Sequence, residues 1–289
     1  MIKILVLAKQ VPDTRNVGKD AMKEDGTVNR AALPAIFNPD DLCALEMALE
    51  AKERLGNAEV YVLTMGPSRA AEIIRESIYR GADKGVLLTD RKFAGSDTLA
   101  TSYAIAQAAK QWQPDLIFCG VQAIDGDTAQ VGPQTAEKLA IPQITYAEEL
   151  IEIDNKNIVL KRRLERGVEI VKVTLPTLIT VHGSAPACRN RNAKRVMQYK
   201  HARAISEMSN VEAQNFEPLQ TERPYLLIEE WNADVVKADV QFLGLAGSPT
   251  KVKNIDNVIL TQKENKTLTA SDADIELLIT ELLESRIIG

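Results

Sequence analysis

Four short apolar runs, "IKILVLA" (2–8), "AEVYVLT" (58–64), "KGVLLTD" (84–90) and "DLIFCGV" (115–121), are each followed by a stretch with helical spacing. Side chains of a strand alternate between the two faces of a sheet, so a run that is apolar at successive positions suits a strand buried on both faces of a parallel sheet. The intervening stretches "DDLCALEMALEAKERLG" (40–56), "SRAAEIIRESIYRGA" (68–82), "SDTLATSYAIAQAAKQW" (96–112) and "TAQVGPQTAEKLA" (128–140) repeat apolar residues at three- and four-residue spacing, with Gly56 and Gly81 placed to end helices. Strand and helix alternating in this way predict right-handed crossovers and an α/β fold with a doubly wound, mainly parallel sheet.

From about Glu148 the period changes to two, around Asn155–Lys156 and Arg166–Gly167, and "LIEIDNKNIVLKRRLERGVEIVKVTLPTLITV" predicts antiparallel hairpin strands. The expected organisation is a body over 1–200 that includes these hairpins, a polar linker over 201–223, and an extended C-terminal arm over 224–289. The arm carries "YLLIEEW", "LGLAGSPTKVKNI" (243–255) and a terminal amphipathic helix, "SDADIELLITELLESRII" (271–288), with Ile275, Leu277, Leu278, Leu282, Leu283, Ile287 and Ile288 as its apolar residues. The polar tract before it offers little core, so the arm is expected to bury that face on another chain.

A length of 289 residues with 45% hydrophobic content suits one large domain and an appendage. No apolar run approaches the roughly 20 residues that cross a bilayer. "MIKILVLAKQ" is too short for a signal peptide, so the reading is a cytoplasmic protein without membrane insertion. Cys43, Cys119 and Cys188 lie far apart without metal spacing, which argues for reduced thiols and no metal site. His182 and His201 are the only histidines, leaving little room for histidine catalysis, and a net charge of -5 argues against nucleic acid.

The stretch "CGVQAIDGDTAQVGPQTAEKLAIP" (119–142) runs from the fourth apolar run into a helix. Ligands of an open parallel sheet collect outside the carboxyl ends of its strands, where the next helix presents free N–H groups. Gly126 could take positive φ, Asp127 or Thr128 could cap the helix, and Pro133 suits its first turn. That combination fits a phosphate, and it equally fits a capped turn with Asx bonds. The dinucleotide fingerprint G-x-G-x-x-G and the P-loop lysine pattern are absent. "AKQVPD" (8–13), "FNPDD" (37–41), "TMGPS" (64–68) and "GSDTLATSY" (95–103) place further Gly, Pro, Asp, Asn, Ser and Thr on the same sheet edge, and together they predict a nucleotide-sized polar cleft.

"NPDD", "TMGP", "GADKG" (81–85), "QAIDGDTAQVGP", "LKRRLERGVEIVKVTLPTLITV" and "LGLAGSPTKV" together resemble the β, or small, subunit of electron transfer flavoproteins. The resemblance implies an adenine-nucleotide-binding, Rossmann-like domain and a heterodimer. Its arm would pack on an α subunit that holds FAD, and the pair would carry electrons between dehydrogenases without side-chain chemistry. "GDTAQVGP" and "GSDTLATSY" are similar to the bifurcating branch, which implies a second FAD in this subunit and NADH as hydride donor. The alternative is the simple carrier with structural AMP. By this resemblance the backbone of Asp125, Gly126, Asp127, Thr128, Ala129, Gln130, Val131 and Gly132 cradles phosphate, and Ala8, Asn38, Thr64, Thr98 and Cys119 line the nucleotide. Arg162 or Arg163 would favour an anionic flavin, unless both are ordinary exposed hairpin charges.

The family's dehydrogenase-recognition segment usually carries an apolar anchor. Here "APACRNRNAKRVMQYK" (185–200) offers Arg189, Arg191, Lys194, Arg195 and Lys200 and no leucine, so an acyl-CoA dehydrogenase-type partner would be steered by charge or would meet only a solvated face. Two other classes share the cleft: an ATP-binding regulatory α/β protein, which has no need of the arm, and a pyrophosphatase-type hydrolase, for which Asp125 and Asp127 would gather magnesium.

Overall fold

Ile4 and Val6 face one side of the sheet and Leu5 and Leu7 the other, and all four are buried, which fixes β1 (Ile2–Leu7) as an interior strand. The computed structural model describes residues 1–13, 34–250, 266–285 and 287. After β1 come the short antiparallel pair β2 (Gln10–Pro12) and β3 (Ala35–Phe37), then α1 (Pro39–Leu55), β4 (Ala58–Met65), α2 (Ala71–Arg80), β5 (Lys84–Leu88), α3 (Thr98–Trp112), β6 (Leu116–Gly120) and α4 (Val131–Leu139). The second half contains β7 (Gln143–Ile153), β8 (Asn157–Leu164), β9 (Gly167–Thr174), β10 (Thr177–Val181), α5 (Ala193–Tyr199), β11 (Arg203–Ala204), α6 (Asn210–Glu222), β12 (Leu227–Trp231) and α7 (Asp272–Glu284).

One sheet of ten strands has the order β11-β12-β5-β4-β1-β6-β10-β7-β8-β9. All neighbours from β11 to β7 are parallel, while β7–β8 and β8–β9 are antiparallel. The α/β, mainly parallel architecture is therefore as the periodicity predicts. Gly56, at φ 67, ends α1 in the left-handed conformation that favours glycine. The core divides by sheet face. Ala44, Leu45, Ala48 and Leu49 of α1 cover Ile4, Val6, Val60 and Val62. Ala104, Ala108 and Ala109 of α3 and Ala136 of α4 cover Leu5, Leu7 and Ile117.

The expectation of antiparallel strands holds for β7, β8 and β9, but not for the last run of that region. "TLITV" forms β10, inserted between β6 and β7 and parallel to both. All five of its residues are buried, as an interior parallel strand requires, whereas the edge strand β9 is mostly exposed. Residues 201–223 contain α6, capped by Ser209 and Glu212, and its Phe216 packs with Ile74 and Ile78 of α2. The chain after 224 re-enters the sheet as β12, between β11 and β5. By contrast, α7 buries none of its residues: Ile275, Leu277, Leu278, Ile279 and Leu283 are exposed. Ile288 and residues 251–255 of the arm lie outside the described residues.

Candidate functional site: a cleft at the carboxyl edge of the sheet

From β1 the chain steps to β4 and then β5 on one side, and β6 lies on the other side of β1. The strand order thus reverses between β1 and β6, and at such a switch point the carboxyl ends of the strands diverge and leave a crevice. A cleft of about 700 Å³ opens there, lined by Leu7–Lys9 after β1, Leu63 and Met65–Pro67 at β4, Leu88–Arg91 and Phe93–Thr98 after β5, and Gly120–Ala123 and Gly126–Gly132 after β6. Small-molecule and cofactor sites span roughly 300–1,000 Å³. The polar turn before α4 borders the cleft, and Leu63, Met65, Leu88, Phe93 and Ile105 add apolar surface to a lining that also includes Thr89, Asp90 and Arg91.

The turn departs from the sequence reading in its details. Gly126 is not among the residues with positive φ; the left-handed positions are Asp127 (φ 49) and Ala129 (φ 52). Two non-glycine residues in that region within three positions constitute local backbone strain, which persists where surrounding structure over-determines it and clusters at ligand clamps. Neither Asp127 nor Thr128 caps α4. The cap position is Gln130, at φ -101 and ψ -29, and it makes no side-chain cap bond. The first amides of α4 consequently have no partner within the helix. Left-handed Ala129 followed by right-handed Gln130 turns successive N–H groups toward one point, a concavity suited to an anion. Thr98 Oγ1 donates to Gln130 Oε1 at 2.9 Å, tying the start of α3 to this turn.

Carboxylates around the cleft are largely committed to donors of the chain itself. Asp41 is buried, accepting the Lys9 N–H at 2.9 Å and the Gly120 N–H at 2.8 Å, and so ties the ends of β1 and β6 together. Burial pushes its carboxyl up to about 7, against those two amides, which pull it down. Asp97 caps α3 through Leu99 and Ala100. Although burial acts to raise it, the amides of Ala100, Thr250 and Leu99 hold its carboxyl below the ordinary range. Asp90 accepts amides from Lys92 and Ala233. Lys9 reaches both oxygens of Asp125 at 2.8 Å.

The model of the Electron transfer flavoprotein domain matches residues 25–206. Electron transfer flavoprotein subunit beta of Thermoanaerobacterium thermosaccharolyticum is 43% identical over 251 residues, covering 87% of this chain and 86% of that protein. The chain belongs to the electron transfer flavoprotein β-subunit family. Acryloyl-CoA reductase electron transfer subunit gamma of Anaerotignum propionicum is 43% identical over 255 residues, covering 87% of this chain and 86% of its own length. Caffeyl-CoA reductase-Etf complex subunit CarD of Acetobacterium woodii is 48% identical over 180 residues, or 62% of this chain and 68% of that one.

Of the residues that the family resemblance implies for the nucleotide, Ala8, Thr98, Cys119, Gly126, Asp127, Thr128, Ala129, Gln130, Val131 and Gly132 line the cleft. Asn38, Thr64 and Asp125 do not. Asn38 is buried and staples the turn from behind, donating to Gln122 O at 2.8 Å and accepting the Ile124 N–H at 3.2 Å. Thr64 falls by strand alternation with Val60 and Val62 on the α1 face, and its buried Oγ1 has no hydrogen-bond partner among the described residues. Arg162 and Arg163 lie on β8 away from the cleft lining, beside Glu169 and Glu148 respectively. Lys9, Asp41, Phe93 and Ile105 line it without having been singled out. Asp41 had a legible signal: it shares the buried stripe of α1 with Ala44, Leu45 and Ala48, where an acid is out of place.

The basic segment is neither a free docking patch nor a plain solvated loop. Arg189 pairs with Glu46 and Glu53 of α1, Arg191 pairs with Glu76 of α2, and Arg195 donates to the carbonyls of Ile78 and Ala82. These guanidinium groups anchor 189–195 to the body. Outward, α5 presents Lys194, Gln198 and the apolar Met197, 64% exposed. Among the described residues, no helix is long and apolar enough to cross a membrane and no three His, Cys, Asp or Glu side chains are placed to hold a metal.

Proposed function

We propose that this chain binds FAD in the cleft between β1 and β6, and that with an electron transfer flavoprotein α subunit it carries electrons from NADH by flavin-based bifurcation. The observation that carries the reading is the size of the cleft: about 700 Å³, with an anion cradle at 127–132 and the apolar side chains of Leu63, Met65, Leu88, Phe93 and Ile105 in its lining, more than a mononucleotide needs. In this reading the amides of Ala129, Gln130 and Val131 hold the pyrophosphate, and Thr98 fixes Gln130 with its amide nitrogen free to donate. The apolar side chains of the lining take the ring and exclude water from it. A flavin bound there supplies hydride acceptance and single-electron transfer onward.

The exposed apolar face of α7 supports the α subunit as partner, since such a face gains roughly 1.5–3 kcal/mol for each large side chain that a partner buries. Relatives named for acryloyl-CoA and caffeyl-CoA reductase complexes support an acyl-CoA dehydrogenase-type partner, for which Met197 would be the apolar anchor. Release of nucleotide from the co-purified heterodimer tests the reading. Two FAD per αβ pair, with reduction by NADH, is the expected result; one FAD with one AMP would place the protein among the simple carriers.

A further inference from the structure

The segment "LGLAGSPT" (243–250) is fixed against the loop that enters α3. Ser248 is 3% exposed; its Oγ donates to Gly244 O at 2.6 Å and accepts the Asp97 N–H at 2.8 Å. The fit leaves little slack. A Cβ at Gly95, which has φ +75, would meet Leu245 Cδ2 at 2.7 Å, and one at Gly244, which has φ +53, would meet Lys92 O at 2.5 Å. The carboxylate of Asp97 works in two directions. Its Oδ1 accepts the Leu99 and Ala100 amides at 2.9 and 3.0 Å, and its Oδ2 accepts the Thr250 N–H at 3.1 Å. Gly95, Ser96, Asp97 and Thr98 form one wall of the cleft. Thr250 is the last described residue before the part of the chain that leads to the unburied α7.

We propose that Asp97 is a positioning residue that couples the C-terminal arm to the nucleotide cleft, because its two oxygens join the end of the 243–250 strap to the first turn of α3. A partner that holds the arm restrains Thr250, and through Asp97 it restrains the wall that the nucleotide touches. The nucleotide then binds a wall whose ordering cost has already been met, so it binds more tightly. Linkage makes the effect reciprocal: nucleotide raises partner affinity by the same factor. The inference rests on the reading of the cleft and arm given under Proposed function.

The quantity to measure is the FAD dissociation constant of the full chain, alone and with the α subunit present. The expected ratio of the two in the wild type is roughly tenfold, within the usual range for coupled sites. Asp97→Asn keeps an oxygen to cap α3, since asparagine is a good cap, but its amide nitrogen cannot accept the Thr250 N–H. The ratio should fall toward one in Asp97→Asn and also in Ser248→Ala, which removes the acceptor for the Asp97 amide. Using the ratio cancels any effect that the lost charge has on FAD binding in both states. A wild-type ratio near one, or a ratio unchanged in Asp97→Asn, overturns the proposal. If the chain takes AMP and not FAD, the cofactor reading fails separately, and the same ratio taken with AMP decides the coupling.

Discussion

The cleft and the terminal helix are opposites in how their polar and apolar groups are satisfied. Around the cleft, Asp41, Asn38, Asp90 and Asp97 each bond backbone amides or carbonyls, so the edge of the sheet is held in shape by its own chain. In α7 every apolar side chain of the helix is at least partly exposed and none is buried. A surface that the chain itself completes can be formed before any ligand arrives, whereas an apolar face left uncovered is free to meet another surface. The β1–β6 edge of the cleft is thus preformed, and the arm leaves apolar surface open.

The largest expected effect breaks that contrast at the arm. Removing residues 266–289 takes away α7 but leaves β12 and the strap at 243–250 in place, so the body should fold and retain nucleotide while failing to co-purify with the α subunit. A cut at 224 would be less informative, because β12 pairs with β5 inside the sheet. Undiminished co-purification of the 266–289 deletion would mean that α7 finds its cover on its own chain.

Two glycines of the same turn offer the next test. A Cβ at Gly132 would lie 2.8 Å from Cys119 Sγ and 3.0 Å from Thr180 Cγ2, whereas one at Gly126 would meet nothing within 4 Å. Gly132→Val should therefore destabilise by about 1–3 kcal/mol, as overpacking does, and lose nucleotide as a consequence. Gly126→Val should stay within about 0.5 kcal/mol of wild type yet release nucleotide, because only a ligand could be crowded there. Thermal unfolding of the nucleotide-free chains, with FAD titration beside it, separates the two. Equal loss of stability in both would show that the turn is not preformed.

The buried acid gives a smaller effect with a definite sign. The carboxyl of Asp41 is raised in the folded state, so between about pH 4 and pH 7 the folded chain binds the proton that the unfolded chain has lost. Its contribution to stability is present in full below the unfolded value and fades as pH rises through about 7. Nucleotide-free wild-type protein should accordingly unfold a few degrees lower at pH 8 than at pH 5.5, and that part of the slope should vanish in Asp41→Asn. Identical slopes would mean that the two amides hold Asp41 ionised throughout.

The period of the apolar pattern made the parallel core legible: β1, β4, β5 and β6, with their helices, begin and end within a few residues of the expected bounds. What it could not supply is which residues of a strand exit reach the cleft. Thr64 stands at a strand exit just as Ala8 does, and alternation puts both on the α1 face, yet Ala8 borders the cleft and Thr64 does not. At the turn, glycine in the sequence suggested where φ would be positive, but the strain sits on Asp127 and Ala129, which composition does not mark. The pattern of "TLITV" marks a strand but not its direction, because insertion beside β6 depends on contacts across more than fifty residues.

The smallest effect belongs to the basic segment, where the sequence leaves long-range steering and a bare loop equally open. Exposed charges attract a partner from a distance, and salt screens them beyond a Debye length of about 8 Å at physiological ionic strength. Arg189, however, faces both Glu46 and Glu53, while Arg191 shares Glu76 with Arg80, so at range these arginines and glutamates taken together are close to neutral. The association rate of the wild-type chain with an acyl-CoA dehydrogenase should therefore vary by less than about twofold with salt, whereas reversing both arginines to glutamate leaves a local excess of negative charge and introduces a salt dependence. The same change should cost stability, because it sets like charges against α1 and α2; partly exposed pairs of this kind are worth roughly 0.2–1 kcal/mol each. Met197→Ala, which alters no charge, should weaken docking equally at low and high salt. Stopped-flow reduction of the dehydrogenase at low and high salt decides the matter: a steep salt dependence that disappears on reversal would return the segment to the role of an electrostatic guide, and a salt-independent loss in Met197→Ala leaves it an apolar contact held out by its own ion pairs.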